Sequence, residues 1–363
     1  MRTVTLFLTL GLAIWTISCE KSEVQAVTPP DALLTDGKII VKNPQPTTLI
    51  PKEMSKSVPF NARHGHEVLV FHKKLWVIAG DGMGDFYNDV WASEDGLHWE
   101  TMVETAPFLG RRHFGASVMQ DQIWLVGGEL GQPNNLTQTN EVWTSKNGSE
   151  WFQVEPKSPN AIFSPRRRHT LTTFNDKLFL VAGGTHGTYG QSRNDVWSTK
   201  DGAEWKIAIF NAPFAPREDH AALVFEDRLW IVGGFSKTTG NPVFLNDVWF
   251  TKNGVDWHQA TENAAFTARR GHSLTTDGDY MYLIGGDSED YVYHNDIWRS
   301  ANGIDWEMVT TEDSSFGPRS DHASVYFNQL HWIINGYPIY SAFENGSVDQ
   351  WGFYDDIWAF ETN

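Results

Sequence analysis

Short segments of alternating apolar and polar residues recur along this chain, and they recur in a fixed order. An alternating segment such as His66–Phe71 is followed by a polar turn, His72–Lys74, and then by an apolar run that ends in small residues, Leu75–Gly80. Runs of β-branched and aromatic residues bounded by turn residues are typical of strands. The pattern therefore predicts two antiparallel strands joined by a tight turn.

The same unit continues with two further predicted strands. The phrase Asn-Asp-Val-Trp, first seen at Asn88–Trp91, opens a third strand; the pair Asp95 and Gly96 follows it, and Trp99 opens a fourth strand. Asp-Gly and Asn-Gly pairs tolerate the positive φ that a tight hairpin turn requires. Each unit is therefore predicted to be a sheet of four antiparallel strands.

The unit is repeated six times. Each copy begins with Phe, two residues, Arg, two residues and usually His, and the arginines recur about every 50 residues. The arginines are Arg63, Arg111, Arg166, Arg217, Arg269 and Arg319. A repeat of this length indicates the blades of a β-propeller. The sequence thus predicts an all-β, six-bladed propeller over residues 49–363.

The last copy lacks a fourth strand after Trp358, and a segment near the start of the repeats resembles the missing strand. Leu49–Met54 leads into Val58–Phe60 in the same way that other outer strands lead into the next copy. We therefore expect residues near 49–57 to form the outer strand of the last blade. This pairing closes the ring and leaves no open sheet seam.

The order of these motifs resembles that of kelch-repeat propellers, in which the Arg-x-x-His entry, the small residues after the second strand and the Asn-Asp-Val-Trp phrase recur. The resemblance covers residues 49–363, and together with the features of residues 1–19 described below it leads us to expect a bacterial envelope kelch lipoprotein. A more distant resemblance is to N-acetylneuraminate epimerase, a mutarotase of sialic acid. The resemblance implies the fold and leaves the function open, because kelch propellers include both binding scaffolds and enzymes.

The first residues and the net charge change the picture of where the chain works. Residues 1–18 are typical of a secretory signal, and Cys19, the single cysteine of the chain, follows a small residue as in bacterial lipoproteins. We therefore expect a lipid anchor at Cys19, a flexible tether over residues 19–48, and a location in the bacterial cell envelope. The net charge of −17 argues against nucleic acid as a partner.

Strand geometry places the repeated arginines around one mouth of the propeller channel. Six arginines there suit recognition of a carboxylate by Arg63, Arg111, Arg166, Arg217, Arg269 and Arg319. The alternative is that each arginine binds loop carbonyls and is structural.

The residues that differ between copies are stronger candidates for chemistry, and we single out His113, Arg168 and Asp321 for ligand binding. Glu218, Asp219 and His220 are the candidates for acid–base catalysis. The same charges are also compatible with salt bridges between loops.

The long loop 337–354 adds Tyr340, Phe343, Trp351, Phe353 and Tyr354, which suit stacking on sugars or a protein partner, or packing over the propeller itself. His64 and His66 alone are a weak metal signal, so neither a metal site nor a cofactor is predicted. The leading hypothesis is a monomeric binding or protein-interaction module whose ligand is a glycan, a sugar acid or a protein loop. The alternative is a carbohydrate-active enzyme similar to the sialic acid epimerase.

Overall fold

The computed structural model describes residues 49–82, 84–131, 136–185, 191–238, 242–309, 316–337 and 352–362, and the backbone of residues 32–35, 38–41, 339–342 and 348–351. The chain divides into two compact units, Met1–Gln45 and Pro46–Asn363. In the first unit the described backbone is a hairpin in which Ala32–Thr35 pairs antiparallel with Lys38–Val41. Residues 1–18 and Cys19 lie outside the described residues, so the signal, anchor and tether remain predictions.

The second unit contains six sheets of four antiparallel strands, which confirms the predicted blades. We number the blades 1 to 6 from the first repeat and name the strands of each by position. The inner strands are Glu67–Phe71, Gly115–Met119, Thr170–Phe174, Ala221–Phe225, Ser273–Thr276 and Ala323–Phe327. The second strands are Lys74–Gly82, Gln122–Val126, Lys177–Val181, Arg228–Ser236, Met281–Ile284 and Leu330–Ile334.

The third and outer strands complete each blade. The third strands are Asp85–Ser93, Val142–Ser145, Val196–Thr199, Val243–Thr251, Ile297–Ser300 and Ile357–Glu361. The outer strands of blades 1 to 5 are Trp99–Val103, Phe152–Gln153, Lys206–Ile209, Trp257–Thr261 and Glu307–Val309. Short pieces between them are Arg111–Arg112, Glu129–Leu130, Thr137–Gln138, Asp287–Ser288, the 3-10 turn Glu289–Tyr291, Val292–Tyr293, Ile339–Ala342 and Val348–Gly352.

The outer strand of blade 6 comes from the other end of the repeats, as predicted. Lys52–Ser55 pairs antiparallel with Ile357–Glu361, and Lys52 lies opposite Ala359. The inner strands of neighbouring blades contact one another around the whole ring, including blade 6 with blade 1. The ring is therefore closed by backbone hydrogen bonds between segments that are about 300 residues apart in sequence.

The core lies between the blades, where the aromatic residues of the repeat meet. Phe108 stacks edge-on against Trp151 within blade 2, with ring centroids 5.2 Å apart, and both side chains are buried. The hairpin glycine of blade 2, Gly148, lies against the buried ring of Trp76 in blade 1. The same contact recurs around the ring, so each hairpin turn also joins two blades.

In the part of the chain that the structure describes, no helix has the length and apolar character needed to cross a bilayer.

Candidate ligand-binding face of the propeller

The six repeated arginines do not line the channel mouth, and this corrects the expectation from the sequence. All six side chains are fully buried. The guanidinium of Arg166 contacts both carboxylate oxygens of Asp195 at 2.7 and 2.8 Å and donates to the carbonyl of Ala182 at 2.8 Å. The corresponding pairs are Arg63–Asp89, Arg111–Glu141, Arg217–Asp247, Arg269–Asp296 and Arg319–Asp356.

These pairs explain the acidic residue of the Asn-Asp-Val-Trp phrase. Burial works against ionisation of Asp195, but hydrogen bonds from Arg166 and its charge hold the pKa of this carboxyl below its usual value. The indole of Trp197 donates to the same carboxylate at 2.8 Å. Arginine, aspartate and tryptophan thus form one buried unit in the blade, so the geometry supports the structural alternative for the six arginines.

A closed ring of backbone hydrogen bonds forms on the face where the inner strands begin. It joins the six residues that lie two positions after the repeated arginines. The backbone amide of each donates to the backbone carbonyl of the corresponding residue in the preceding blade at 2.8–3.1 Å. The members of this axial ring are Gly65, His113, Arg168, Asp219, Gly271 and Asp321. All six have φ between 50 and 60°, the left-handed region. Their side chains are thereby brought together around the propeller axis.

The axial ring assembles four of the residues singled out from the sequence. His113 Nε2 lies 3.1 Å from Asp321 Oδ2, although the two residues belong to blades 2 and 6. Arg168 forms a salt bridge with Asp219 of the next blade. The side chains of His113 and Asp321 are only 4% and 7% exposed. The predicted ligand residues His113, Arg168 and Asp321 therefore share one site.

The other two acid–base candidates lie apart from this contact. Glu218 is buried beside Gly184, where a Cβ on the glycine would be 2.7 Å from Glu218 Oε2. His220 is buried in the channel wall, and its Nε2 lies 3.1 Å from the hydroxyl of Thr170. Asp219 is engaged by Arg168, so the three candidates do not converge on one point.

Residues one position after each arginine form a second layer around the axial ring. Each of them pairs, through backbone hydrogen bonds, with a residue of the same blade. That partner directly follows a glycine that lies close to the end of the second strand, as Asp81 follows Gly80 in blade 1. The pairs are His64–Asp81, Arg112–Glu129, Arg167–Gly184, Glu218–Phe235, Arg270–Asp287 and Ser320–Tyr337. This pairing brings the acidic residues Asp81 and Glu129, which the sequence analysis had not singled out, next to the basic residues Arg112 and Arg167.

Salt bridges between loops neutralise Arg112 and Arg167, which agrees with the salt-bridge alternative to acid–base catalysis. Arg112 contacts Asp81 at 2.5 Å and Glu129 at 3.0 Å, and so links blades 1 and 2. Arg167 contacts Glu129 at 3.1 Å. The buried Glu129 therefore lies between two guanidinium groups, and their charges lower its pKa although burial alone would raise it.

The pKa values around Asp321 reflect the same packing. Burial would raise the pKa of Asp321, but His113, His64 and Arg168 hold it well below its usual value. Burial and the positive charge of Arg168 lower the pKa of His113 well below 6.5, although Asp321 acts in the opposite direction. At neutral pH the ionised carboxylate of Asp321 therefore faces the neutral imidazole of His113.

A cavity of about 280 Å³ runs along the axis beneath the ring and is lined by the inner strands. Five repeated histidines face it, and burial lowers the pKa of His169, His272 and His322 to about 3. Glu67, at the start of the first inner strand, has its pKa raised to about 8 by burial. Below the axial ring, the histidines of the channel wall are therefore uncharged at neutral pH. The carboxyl group of Glu67, in contrast, titrates close to neutral pH.

Aromatic residues of the loop after blade 6's second strand cover part of the face. Phe353 stacks on His64 with centroids 5.1 Å apart and planes 5° apart, and Tyr337 lies 4.8 Å from the same imidazole. Tyr354 packs over the guanidinium of Arg319 at 4.0 Å. The side chains of Tyr340, Phe343 and Trp351 lie outside the described residues. Tyr337, Phe353 and Tyr354 thus pack on the propeller itself. In the corresponding loop of blade 5, in contrast, the side chain of Tyr291 is 70% exposed.

The comparisons with known proteins identify the family. The model of the KLHDC2/KLHL20/DRC7 Kelch-repeats domain matches residues 178–363, about half of the chain. The solved structure of YjhT superposes with a TM-score of 0.63 over 84% of this chain and 96% of that chain, at 13% identity, which shows the shared fold. This protein therefore belongs to the kelch-repeat family and is a kelch-type β-propeller.

The curated relatives are longer proteins from eukaryotes. A flagellar outer-arm dynein alpha chain of Chlamydomonas reinhardtii is 29% identical over 47% of this chain. Leucine-zipper-like transcriptional regulator 1 of Mus musculus is 24% identical over 64% of it, and acyl-CoA-binding domain-containing protein 5 of Arabidopsis thaliana 22% identical over 73%. The matched regions span 4%, 28% and 43% of those proteins. The shared part is the kelch propeller, a domain consistent with protein interaction.

Proposed function

We propose that this protein is an envelope-anchored interaction module that binds a protein segment on the face carrying the axial ring. The observation that carries the proposal is the separation of roles in each repeat. The repeated arginine is buried in an ion pair, whereas the two residues after it differ from blade to blade and meet at the axis. A surface assembled from unrepeated residues on a rigid scaffold is suited to specific recognition.

Exposed apolar side chains around this face favour a protein segment over a sugar acid as the ligand. Tyr291 is 70% exposed and Val292 50% exposed in the loop of blade 5, and Leu109, between Phe108 and Arg111 in the arginine motif of blade 2, is 63% exposed. Aromatic and aliphatic anchors around a polar centre are typical of protein-binding surfaces. The buried arginines, in contrast, are engaged by carboxylates of the protein itself.

The face can be tested by site-specific photocrosslinking in cells that express the full chain. A crosslinking residue is placed at Tyr291, and a matched control is placed at Ile304, a 52% exposed residue in the hairpin turn at the opposite end of the same blade. We expect one discrete crosslinked protein from Tyr291 and from Leu109, and none from Ile304. Crosslinks from Ile304 alone, or equal crosslinks from both ends, would contradict the proposed face.

The ligand class and the anchor have separate tests. A melting temperature that rises with added sugar acid, and not with neutral sugar, would replace the protein ligand with a sugar acid, because a ligand that binds the native state alone stabilises it. For the anchor, Cys19→Ala should move the protein from the membrane fraction to the soluble fraction and abolish incorporation of labelled fatty acid. If the variant stays in the membrane fraction, the lipid anchor is wrong.

A further inference from the structure

We propose that His64, His113 and Asp321 form a binding site for one divalent transition-metal ion, of the zinc type, at the centre of the axial ring. His64 Nδ1 lies 3.5 Å and His113 Nε2 3.1 Å from the same oxygen, Asp321 Oδ2, and all three ligand atoms lie within 4.8 Å of one another.

The distances are close to those that a metal centre requires. Zinc binds imidazole nitrogen and carboxylate oxygen at about 2.0–2.2 Å, so two ligand atoms of a tetrahedral site lie roughly 3.3–3.5 Å apart. The two imidazole–carboxylate separations, 3.1 and 3.5 Å, are near this value. The ligand nitrogens of the two imidazoles lie within 4.8 Å of each other, so they need to approach by up to about 1.5 Å to complete the three-ligand set.

The site is assembled by the fold from three blades and depends on a glycine between them. Gly65 separates His113 and Asp321 in the axial ring, and a Cβ at Gly65 would lie 2.8 Å from His113 Cδ2. Without a side chain at this position, the imidazole of His113 lies over the ring and reaches Asp321. The left-handed φ of 58° at Gly65 also suits glycine.

The surroundings provide the outer shell that metal-binding histidines usually have. His64 Nε2, the nitrogen that faces away from Asp321, lies 3.3 Å from Asp81 Oδ2. Such a carboxylate fixes the orientation of a ligand imidazole and its tautomer. Phe353 and Tyr337 pack on the ring of His64 and limit its rotation.

The neighbouring cations already have acidic partners. Arg112 is paired with Asp81 and Glu129, and Arg168 is paired with Asp219. Asp321 instead faces two imidazoles, and the buried Nδ1 of His64 has no hydrogen-bond partner among the described residues. A metal ion bound between His64 Nδ1 and Asp321 Oδ2 would provide a partner for the imidazole nitrogen and for the carboxylate.

The donor set indicates the class of ion. Two nitrogens and one carboxylate oxygen suit zinc and similar ions, whereas calcium and magnesium prefer sites made of oxygen alone. Three protein ligands also leave a coordination position for water or for an anionic group of a ligand.

The test is titration of the purified full chain, freed of metal by a chelator, with Co²⁺ and Zn²⁺, followed by cobalt absorption and calorimetry. We expect one Co²⁺ per chain, displacement by Zn²⁺, and no displacement by Mg²⁺ or Ca²⁺. His113→Gln and Asp321→Asn should abolish binding, and Asp81→Asn should weaken it by about 10–100-fold. The matched control is His98→Gln, because His98 is 89% exposed and also contacts an aspartate, Asp95, at 2.7 Å.

Gly65→Ala keeps all three ligands, and its methyl group would displace the imidazole of His113, so it should weaken binding and gives a second test if a ligand variant fails to fold. Circular dichroism and thermal unfolding establish which variants are native. The proposal is overturned if native wild-type protein binds no Co²⁺, or if binding is unchanged in native His113→Gln and Gly65→Ala proteins.

Discussion

Two positions only two residues apart in each repeat have opposite roles. The arginine is the same in all six copies, and its side chain is buried in an ion pair within one blade. The axial-ring residue two positions later has one backbone conformation in all six copies but is one of four residue types, Gly, His, Arg or Asp, and it contacts other blades. A residue that recurs in every blade builds the blade, whereas a residue that varies at a fixed backbone position can provide chemistry.

The strongest way to test the structural role of the arginine is to remove one. In Arg166→Met, Asp195 remains buried without its bidentate partner, and loss of one partner of a buried pair costs about 3–5 kcal/mol. Chemical denaturation should report this loss in the free energy of unfolding. The control is Lys157→Met, which removes an exposed pair with Asp201 and should leave the free energy of unfolding nearly unchanged. Equal effects of the two variants would contradict a structural role for Arg166.

A second repeated position, the hairpin glycine, should be nearly as sensitive. In Gly148→Ala the new methyl group would overlap the buried ring of Trp76, and φ is +75°. We expect a loss on the order of 2 kcal/mol from steric overlap and backbone strain. Gly278→Ala is the matched control, because its φ is also positive but no heavy atom lies within 4 Å of its Cβ. If both variants lose the same stability, contact with the neighbouring blade contributes nothing.

The histidine of the repeat contributes to stability in a pH-dependent way, and its effect is absent at neutral pH. Burial and the charge of Arg166 lower the pKa of His169 to about 3, although a hydrogen bond to the carbonyl of Val126 acts in the opposite direction. Between about pH 6.5 and 3 the unfolded state therefore binds one more proton at this residue than the folded state, and stability falls as the pH falls.

His169→Phe gives blade 3 the residue that blade 2 carries naturally, Phe114. It should reduce the pH slope of the unfolding free energy by about 1.4 kcal/mol per pH unit in this window. Urea denaturation at several pH values measures the slope. The reciprocal Phe114→His should increase it, and an unchanged slope in both variants would rule out this titration.

Most of the fold could be predicted from the sequence because it rests on local, repeated signals. The Asp-Gly and Asn-Gly turns specify hairpins, and alternation specifies strands. The origin of the outer strand in blade 6 was also predictable. Leu49–Met54 leads into Val58–Phe60, just as the outer strands of other blades lead into the Phe that begins the next copy. The observed strand, Lys52–Ser55, lies within the predicted residues 49–57.

The candidate site was only partly predictable. His113, Arg168 and Asp321 were recognised as residues that differ between copies, and the structure brings them to one axis. The partners Asp81 and Glu129 were missed, although their place directly after the small residues of the second strand is a usable signal. The Arg166 side chain was misplaced because the sequence shows where a residue lies on a strand and not which neighbour its side chain reaches.

The sequence by itself therefore determined the number of blades, their strand order and the segment that closes the ring. Only the tertiary structure decided which charges are buried in pairs and which residues meet. Ring closure makes blades 6, 1 and 2 neighbours, and so places His113 3.1 Å from Asp321 across 208 positions of sequence. Turn and strand preferences act over a few residues, whereas such a contact depends on the curvature of the whole ring.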